Sequence, residues 1–187
     1  MKRVLCTLSM FALSLSLTAQ DASVEKSVFG IQTGLLGVWA HNETKLADQF
    51  SLRTEIGLDT GIFGGSNFDD TSFVMAPVIT LEPRWYYNLD KRLSKSKNIS
   101  GNSGNFLSLK TSYLPDWFLI SNTDNFNVED QISIIPTWGM RRTIGKHFVY
   151  ETGIGFGYRR IFVKNAGVSN GISEGALNVH LRIGYRF

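Results

Sequence analysis

The sequence predicts an all-β fold, an antiparallel transmembrane β-barrel of about eight strands in up-and-down order. Three observations predict it. Apolar and polar residues alternate over most of the chain after residue 27, aromatic residues reach 12% beside 18 glycines and only 4 prolines, and the alternating segments are about 11 to 15 residues long. Soluble strands average about five or six residues, whereas a tilted strand that crosses a bilayer needs about 9 to 11.

The first 19 residues have the pattern of a secretory signal peptide. Lys2 and Arg3 supply a positive start, the residues from Val4 to Leu17 are mostly apolar, and Ala19 is a small residue at the cleavage position. The apolar run is shorter than the roughly 20 residues of a spanning helix, although a retained anchor is the alternative. The predicted organisation is a signal peptide, residues 1–19, followed by a single barrel domain, residues 20–187.

The mature chain is expected to be nearly neutral and free of cysteine. Removal of the leader takes away two cations and Cys6, which lowers the formal net charge from +3 to about +1. The basic isoelectric point therefore gives no support for nucleic-acid binding. Without cysteine there is neither a disulfide nor a thiolate metal site to expect, and the histidines show no metal-ligand spacing. We expect no cofactor.

Seven alternating segments and one weak segment supply the predicted strands. In each of the seven, almost every second residue is apolar, as in Phe50, Leu52 and Ile56 of the second segment. The weak segment, residues 117–122, follows a tight turn at 114–116 and is counted because single-chain bacterial barrels have an even number of strands. The predicted strands are 28–40, 50–60, 75–89, 107–113, 117–122, 131–141, 148–159 and 177–187.

This strand order predicts which connections share an end of the barrel. Because both termini of such barrels usually lie in the periplasm, alternate connections face alternate sides. The periplasmic connections are then 64–72, 114–116 and 142–146, and the extracellular loops are 41–48, 90–105, 123–130 and 163–175.

Residues 90–105 read "DKRLSKSKNISGNSGN", a composition typical of a mobile solvated loop. The alternative is that cations of this loop contact phosphates of the outer-leaflet lipid by simple charge attraction. The cations concerned are Lys91, Arg92, Lys95 and Lys97.

The polar faces of the strands combine glycine with charges of both signs. Opposite charges suit a packed barrel interior of ion pairs, and the opposite faces, rich in Phe, Trp and Tyr near strand ends, suit lipid. A closed barrel also satisfies every backbone group in hydrocarbon. The predicted barrel-interior charges are Arg53, Glu55, Glu82, Arg84, Lys110, Arg141, Glu151, Arg159 and Arg182. About eight strands leave an interior just filled by side chains, so a wide porin is not expected.

The last eight residues, "HLRIGYRF", alternate to the end of the chain and finish on a bare aromatic residue. With the leader and the alternating segments, they make residues 28–187 resemble the small outer-membrane β-barrels of Gram-negative bacteria, the OmpA/OmpX-like class. In that class the barrel assembly machinery recognises the last strand by such a pattern. The resemblance therefore implies an assembly signal at Leu181, Ile183, Tyr185 and Phe187.

No arrangement of residues predicts an enzyme. Catalysis by a small barrel needs a nucleophile with a base in reach, but His180 has no serine two residues away, His147 sits beside a turn, and His41 is placed at a strand end. The predicted role is structural or interactive in the cell outer membrane: envelope integrity, loop-mediated adhesion or lipid contact. The predicted partners are outer-membrane lipid, the assembly machinery and an unidentified extracellular ligand.

Several alternatives remain open at this point. A lipid-modifying barrel enzyme, of the lipid A deacylase or acyltransferase type, would also carry this fold. A narrow small-solute channel is a second alternative in function. A soluble β-sandwich or lipocalin-like binder is the alternative in fold, and it would carry its polar residues outside and its apolar residues inside.

Overall fold

The computed structural model describes residues 22–63, 72–122, 128–163 and 171–187, so the predicted signal peptide lies outside the described residues. The described strands are β1 Ser27–Gly34, β2 Gly37–Ala47, β3 Phe50–Phe63, β4 Ser72–Trp85, β5 Asn105–Leu114, β6 Ile120–Ser121, β7 Gln131–Ile144, β8 Phe148–Ile161 and β9 Ile172–Arg186. A short helix, α1, spans Leu89–Leu93. Among these residues no helix is long and apolar enough to cross a membrane.

Eight of the strands close into an antiparallel barrel in up-and-down order. Each pairs with the next strand along the chain, except that β5 pairs with β7, and β9 pairs back with β1. Because the first and last strands join, the sheet has no free edge strand. The two residues of β6 stand outside the ring and pair with the part of β4 that β5 does not reach. The predicted all-β, eight-stranded, antiparallel barrel is confirmed.

The strand assignment made from the sequence was wrong in two places, although the number was right. The predicted strand 28–40 is two strands, because Leu35 and Leu36 form a tight turn between Gly34 and Gly37, which pair with each other. Gly37 has a φ of +144°, a conformation that favours glycine. The predicted strand 117–122 is reduced to β6.

These two corrections reverse the direction of every strand between them, and so change which connections share an end. We call the end that holds Ala22 and Phe187 the terminal end, and the opposite end the distal end. The predicted loops 41–48 and 90–105 lie at the terminal end with the turn at 142–146, whereas 114–116 lies at the distal end. The predicted division of loops was therefore wrong. Residues 64–71, 123–127 and 164–170 lie outside the described part of the chain.

The connection between β4 and β5, residues 86–104, is a folded cap over the terminal end rather than a mobile loop. Tyr86, Leu89 and Phe106 are fully buried in one hydrophobic cluster, which also contains Ala22 and Val24. Burial of the Tyr86 hydroxyl, with Glu43 nearby, raises its pKa. The polar composition of the cap concealed this packing, because a few apolar side chains fasten it.

Three residues from distant parts of the chain hold the cap in place. The Glu25 carboxylate accepts hydrogen bonds from the Gly101 amide at 2.6 Å and from Arg186 Nη1 at 3.1 Å. Arg186 Nη2 also donates to Ser100 Oγ at 2.7 Å. The segment before β1, the cap and the last strand are therefore fastened to one another, which closes the terminal end.

Candidate functional site

The outer surface of the barrel is apolar around its middle. Aliphatic side chains of the ring strands are exposed there, and no described protein atoms cover them. We call this surface the aliphatic band: Ile31, Val38, Ile56, Ile79, Leu81, Leu109, Ile154, Val179, Leu181 and Ile183. Such a large continuous apolar surface is rare on a soluble monomer.

Exposed aromatic side chains lie above and below the aliphatic band. At the terminal end the ring centroids of Phe29 and Phe187 are 5.5 Å apart, and those of Phe50 and Trp85 are 6.1 Å apart. The terminal girdle comprises Phe29, Phe50, Trp85, Tyr87, Trp138, Phe148, Tyr185 and Phe187. The distal girdle comprises Phe73, Tyr113, Trp117, Phe118, Phe156, Tyr158 and Phe162. Aromatic girdles of this kind flank the lipid-facing band of membrane barrels.

The residues of the predicted assembly signal all lie on the outer face of β9 or directly after it. Leu181 and Ile183 belong to the aliphatic band, and Tyr185 and Phe187 to the terminal girdle. The Phe187 amide donates a hydrogen bond to the Phe29 carbonyl at 3.0 Å, so the chain is paired up to its last residue. Recognition of these residues by assembly machinery stays a prediction.

The interior of the terminal half is filled by a buried layer of charges. It contains four carboxylates and four guanidinium groups, so its formal charge is balanced. We call it the ionic layer: Glu43, Arg53, Glu55, Glu82, Arg84, Arg141, Glu151 and Arg182. Seven of these residues were predicted to be barrel-interior charges. The eighth, Glu43, was not predicted.

Glu151 lies at the centre of the ionic layer. Arg84 binds it through two hydrogen bonds of 2.8 and 3.0 Å, and Arg84 also contacts Glu82 Oε2 at 2.7 Å. Arg141 Nη1 is 3.4 Å from Glu151 Oε2, and Arg53 Nη1 is 3.6 Å from it. Because one carboxylate serves three cations, the layer is a connected network rather than a set of separate pairs.

A second carboxylate ties the layer to the distal half. Glu55 Oε2 is 2.7 Å from Arg53 Nη2 and 2.8 Å from Arg182 Nη1. The Arg182 guanidinium also lies over the Trp39 ring, 3.7 Å from its centroid. A cation over the face of a tryptophan is held by electrostatic attraction. Arg182 and Trp39 thus lie where the ionic layer meets the interior of the distal half.

Sequence reasoning missed two interior residues of β2, His41 and Glu43, and placed Gln32 of β1 on the polar face without assigning it a partner. Gln32 accepts a hydrogen bond from Arg53, and Glu43 accepts hydrogen bonds from Ser51 at 2.7 Å and from Asn102 of the cap at 2.8 Å. His41 is buried in mid-strand, not at a strand end. The signal was present, because His41 and Glu43 continue the alternation that Trp39 begins. It was missed because residues 41–48 were interpreted as a loop.

A cavity of about 680 Å³ occupies the distal half of the barrel above the ionic layer. Its polar lining includes Asp59, Lys110, Ser133, Asn178, His180 and Arg182. Two predicted interior charges remain. Lys110 is one of the lining residues, and Arg159 lies at the rim and donates to Glu174 Oε1 through Nε at 2.7 Å. The expectation of an interior just filled by side chains is therefore wrong for this half, where several inward residues, such as Ser133 and Ala176, are small.

The three histidines have different surroundings. His41 Nε2 is 3.4 Å from Arg141 Nη2, and His147 is stacked on Tyr185 with its Nδ1 3.0 Å from the Arg186 carbonyl. His180 Nε2 is 3.6 Å from Glu151 Oε1, beyond ordinary hydrogen-bond distance. Within the described ranges no histidine is hydrogen bonded to a hydroxyl group, and no His, Cys, Asp and Glu cluster could hold a metal ion.

The cations of the cap lie at the terminal end. Lys91, Lys95 and Lys97 are exposed, whereas Arg92 donates hydrogen bonds to the Asn98 carbonyl at 2.7 and 3.3 Å. These cations lie at the same end of the barrel as the two chain termini. If the termini are periplasmic, the cations cannot contact the outer leaflet, so the two expectations conflict. Contact of these cations with lipid phosphate stays a prediction.

No family model matches the chain, and comparisons with curated proteins and with solved structures also found no match. The barrel is compatible with a small outer-membrane protein, and the resemblance to the OmpA/OmpX-like class stays a prediction.

Proposed function

We propose that this protein is an integral outer-membrane β-barrel that stabilises the envelope or presents its distal loops for adhesion or lipid contact, without forming a wide pore. The observation that carries the proposal is the inverted distribution of side chains. Charged residues fill the interior, and the aliphatic band with its two aromatic girdles forms the outside. In water this distribution would expose the apolar surface and bury the charges, whereas in a bilayer both are placed favourably.

The ionic layer supports a role other than bulk transport. Its side chains are buried, and they are linked across the barrel from β2 to β7 and from β3 to β8 and β9. The cap closes the same end of the barrel from outside the sheet. Passage of a solute would require both the network and the cap to open.

Cell fractionation combined with a gel-shift assay tests the proposed location. We expect the protein in the outer-membrane fraction, with faster migration of the unheated sample because the closed barrel resists the detergent. Recovery as a soluble periplasmic protein without a heat-dependent shift would contradict the proposal.

A matched pair of variants tests the lipid contact itself. Ile154 is 56% exposed on the aliphatic band. In water Ile154→Arg would be close to neutral, but facing lipid it should lower the free energy of unfolding by roughly 2 to 4 kcal/mol. The control is Lys146→Arg in the turn at the terminal end, which should change little. Unaltered stability of Ile154→Arg in lipid vesicles would contradict lipid contact.

Deletion of Phe187 tests the proposed assembly signal. The side chain is exposed and contacts the rings of Phe29 and Tyr185, and the backbone amide donates one hydrogen bond to the Phe29 carbonyl. We expect less folded protein in the outer membrane while the protein that does assemble keeps its stability. Normal membrane levels of the truncated protein would contradict a role in recognition.

A further inference from the structure

We propose that the distal cavity is a binding site for a small amphipathic molecule that carries one anionic group, such as a carboxylate, on an apolar body. The cavity volume of about 680 Å³ falls within the range of small-molecule sites in proteins, which is about 300 to 1,000 Å³. The described lining of the cavity comes from every strand of the ring except β4.

The charges of the lining favour an anion. Three cationic side chains line the cavity, Lys110, Arg159 and Arg182, against one carboxylate, Asp59. Arg182 is paired with Glu55 in the floor and Arg159 with Glu174 at the rim. Lys110 and Asp59 are therefore the two charges of the lining that no ion pair occupies.

These two charges differ in what they already bind. Asp59 Oδ1 accepts a hydrogen bond from Trp39 Nε1 at 2.7 Å. Lys110 lies within electrostatic range of Arg182, Glu55, Asp59 and Glu82, but its ammonium group is within ion-pair or hydrogen-bond distance of none of them. Because an ammonium group carries three donors and no acceptor, Lys110 offers hydrogen bonds that only a group inside the cavity can accept.

His180 adds a second polar group without a partner. Neither of its ring nitrogens has a hydrogen-bond partner among the described residues, although both are buried. A buried polar atom without a partner is uncommon in native structures and calls for one. His180 lines the same cavity as Lys110, and its Nε2 is 3.6 Å from the Glu151 carboxylate, so the donor left for an anionic group held by Lys110 is the Nδ1 N–H.

The apolar part of the lining suits the body of the ligand. Trp39, Ile135 and Ala176 are buried side chains of the cavity wall, from three different strands. Small-molecule sites combine such apolar walls with a few polar groups that fix the orientation. The floor is closed by the ionic layer, so the arrangement holds a ligand instead of passing it on.

Isothermal titration of the detergent-solubilised full chain tests the site. The probes are naphthalene-2-carboxylate and octanoate, which share the anion and differ in the body. Naphthalene-2-carboxamide is the matched neutral compound, and 2-naphthylmethylamine is the matched cation. We expect saturable one-to-one binding of at least one carboxylate, and binding of its neutral or cationic counterpart about tenfold weaker or worse.

The Lys110→Met variant removes the charge while it keeps the length of the side chain. It should lose about tenfold or more in affinity for the carboxylate and nothing for the amide. The control is Lys146→Met, at the opposite end of the barrel, which should bind as the unaltered protein does. Since a barrel variant can fail to fold, each is first checked for a heat-dependent gel shift.

A second variant tests the location without a change of charge. Ala176→Phe places a ring in the cavity and should abolish binding of both carboxylates in folded protein. The proposal is overturned if no carboxylate binds saturably, if Lys110→Met binds as tightly as the unaltered chain, or if the amide and amine bind equally well. These outcomes concern the cavity alone, because location in the outer membrane is tested by fractionation.

Discussion

The two halves of the barrel interior are built from the same strands but are filled differently. In the terminal half the inward residues are long and charged, such as Arg53, Arg84 and Glu151, and they pack into a balanced ionic layer. In the distal half short residues such as Ser133 and Ala176 stand among the longer ones, and a cavity is left. The strand number sets the width of a barrel, but the size of the inward side chains decides whether the width is filled.

The terminal half holds the protein together, whereas the distal half has room to bind a ligand. The terminal half carries connected charges, the cap and the pairing of the first and last strands. The distal half carries the cavity, which is lined by polar side chains such as Lys110 and His180. Substitutions should therefore cost stability in the terminal half and ligand affinity in the distal half.

The largest effect is expected from Glu151→Gln. The substitution leaves four buried guanidinium groups facing three carboxylates in the ionic layer. The free energy of unfolding should fall by roughly 3 to 5 kcal/mol, as measured by urea titration of the protein in lipid vesicles, followed by tryptophan fluorescence. Glu55→Gln and Glu82→Gln should behave alike.

The matched control for this prediction is Glu174→Gln, in the distal half. Glu174 pairs with Arg159, but both side chains are about 40% exposed, at 39% and 41%. The loss should be below about 1 kcal/mol. Similar losses for Glu151→Gln and Glu174→Gln would show that the ionic layer is no more coupled than a surface pair.

An intermediate effect is expected when the same change is made in both halves. Ser51 is buried against Glu43, to which it donates a hydrogen bond of 2.7 Å, whereas Ser133 faces the cavity. Ser51→Leu should destabilise the barrel by about 1 to 3 kcal/mol through overpacking. Ser133→Leu should change stability by no more than about 0.5 kcal/mol. Equal costs, measured by urea titration, would mean that the cavity is not available space.

The smallest effect is expected at the closure of the terminal end. Arg186→Gln removes the cation that joins Glu25 and Ser100. Because Glu25 and Arg186 are partly exposed, global stability should fall by about 1 kcal/mol or less. The cap should loosen locally, so hydrogen exchange of the Gly101 amide should quicken while exchange in β8 does not. Unchanged exchange at Gly101 would show that the hydrophobic cluster alone fixes the cap.

The interior residues could be predicted because a strand has a period of two. Arg53 and Glu55, or Glu82 and Arg84, share a face whichever segments are assigned as strands elsewhere, so the errors in strand assignment did not move them. The turn at Leu35 and Leu36 was missed because both residues are apolar, as residues of a continuing strand would be. One missed turn was enough to exchange the ends at which the loops lie.

The cavity and the cap were beyond sequence reasoning because both depend on contacts between distant segments. Ser133 and Ala176 are small residues on different strands, and only the register of the closed sheet brings them to one level. The cap depends on Leu89 meeting Ala22, Val24 and Phe106 across the chain. The local composition of the cap, rich in serine, asparagine and lysine, does not indicate that contact.

The reactivity of single cysteines toward a small charged thiol reagent, 2-sulfonatoethyl methanethiosulfonate, tests most directly whether the aliphatic band faces lipid, the ionic layer is closed and the cavity is open. The three sites are Ser133→Cys in the cavity, Ser51→Cys beside the ionic layer and Ile154→Cys on the aliphatic band, each in a chain with Cys6→Ser and inserted in lipid vesicles. We expect rapid labelling at residue 133 and none at residue 51 or residue 154. Labelling at 154 before detergent is added would contradict lipid contact, and labelling at 51 as fast as at 133 would contradict a closed ionic layer.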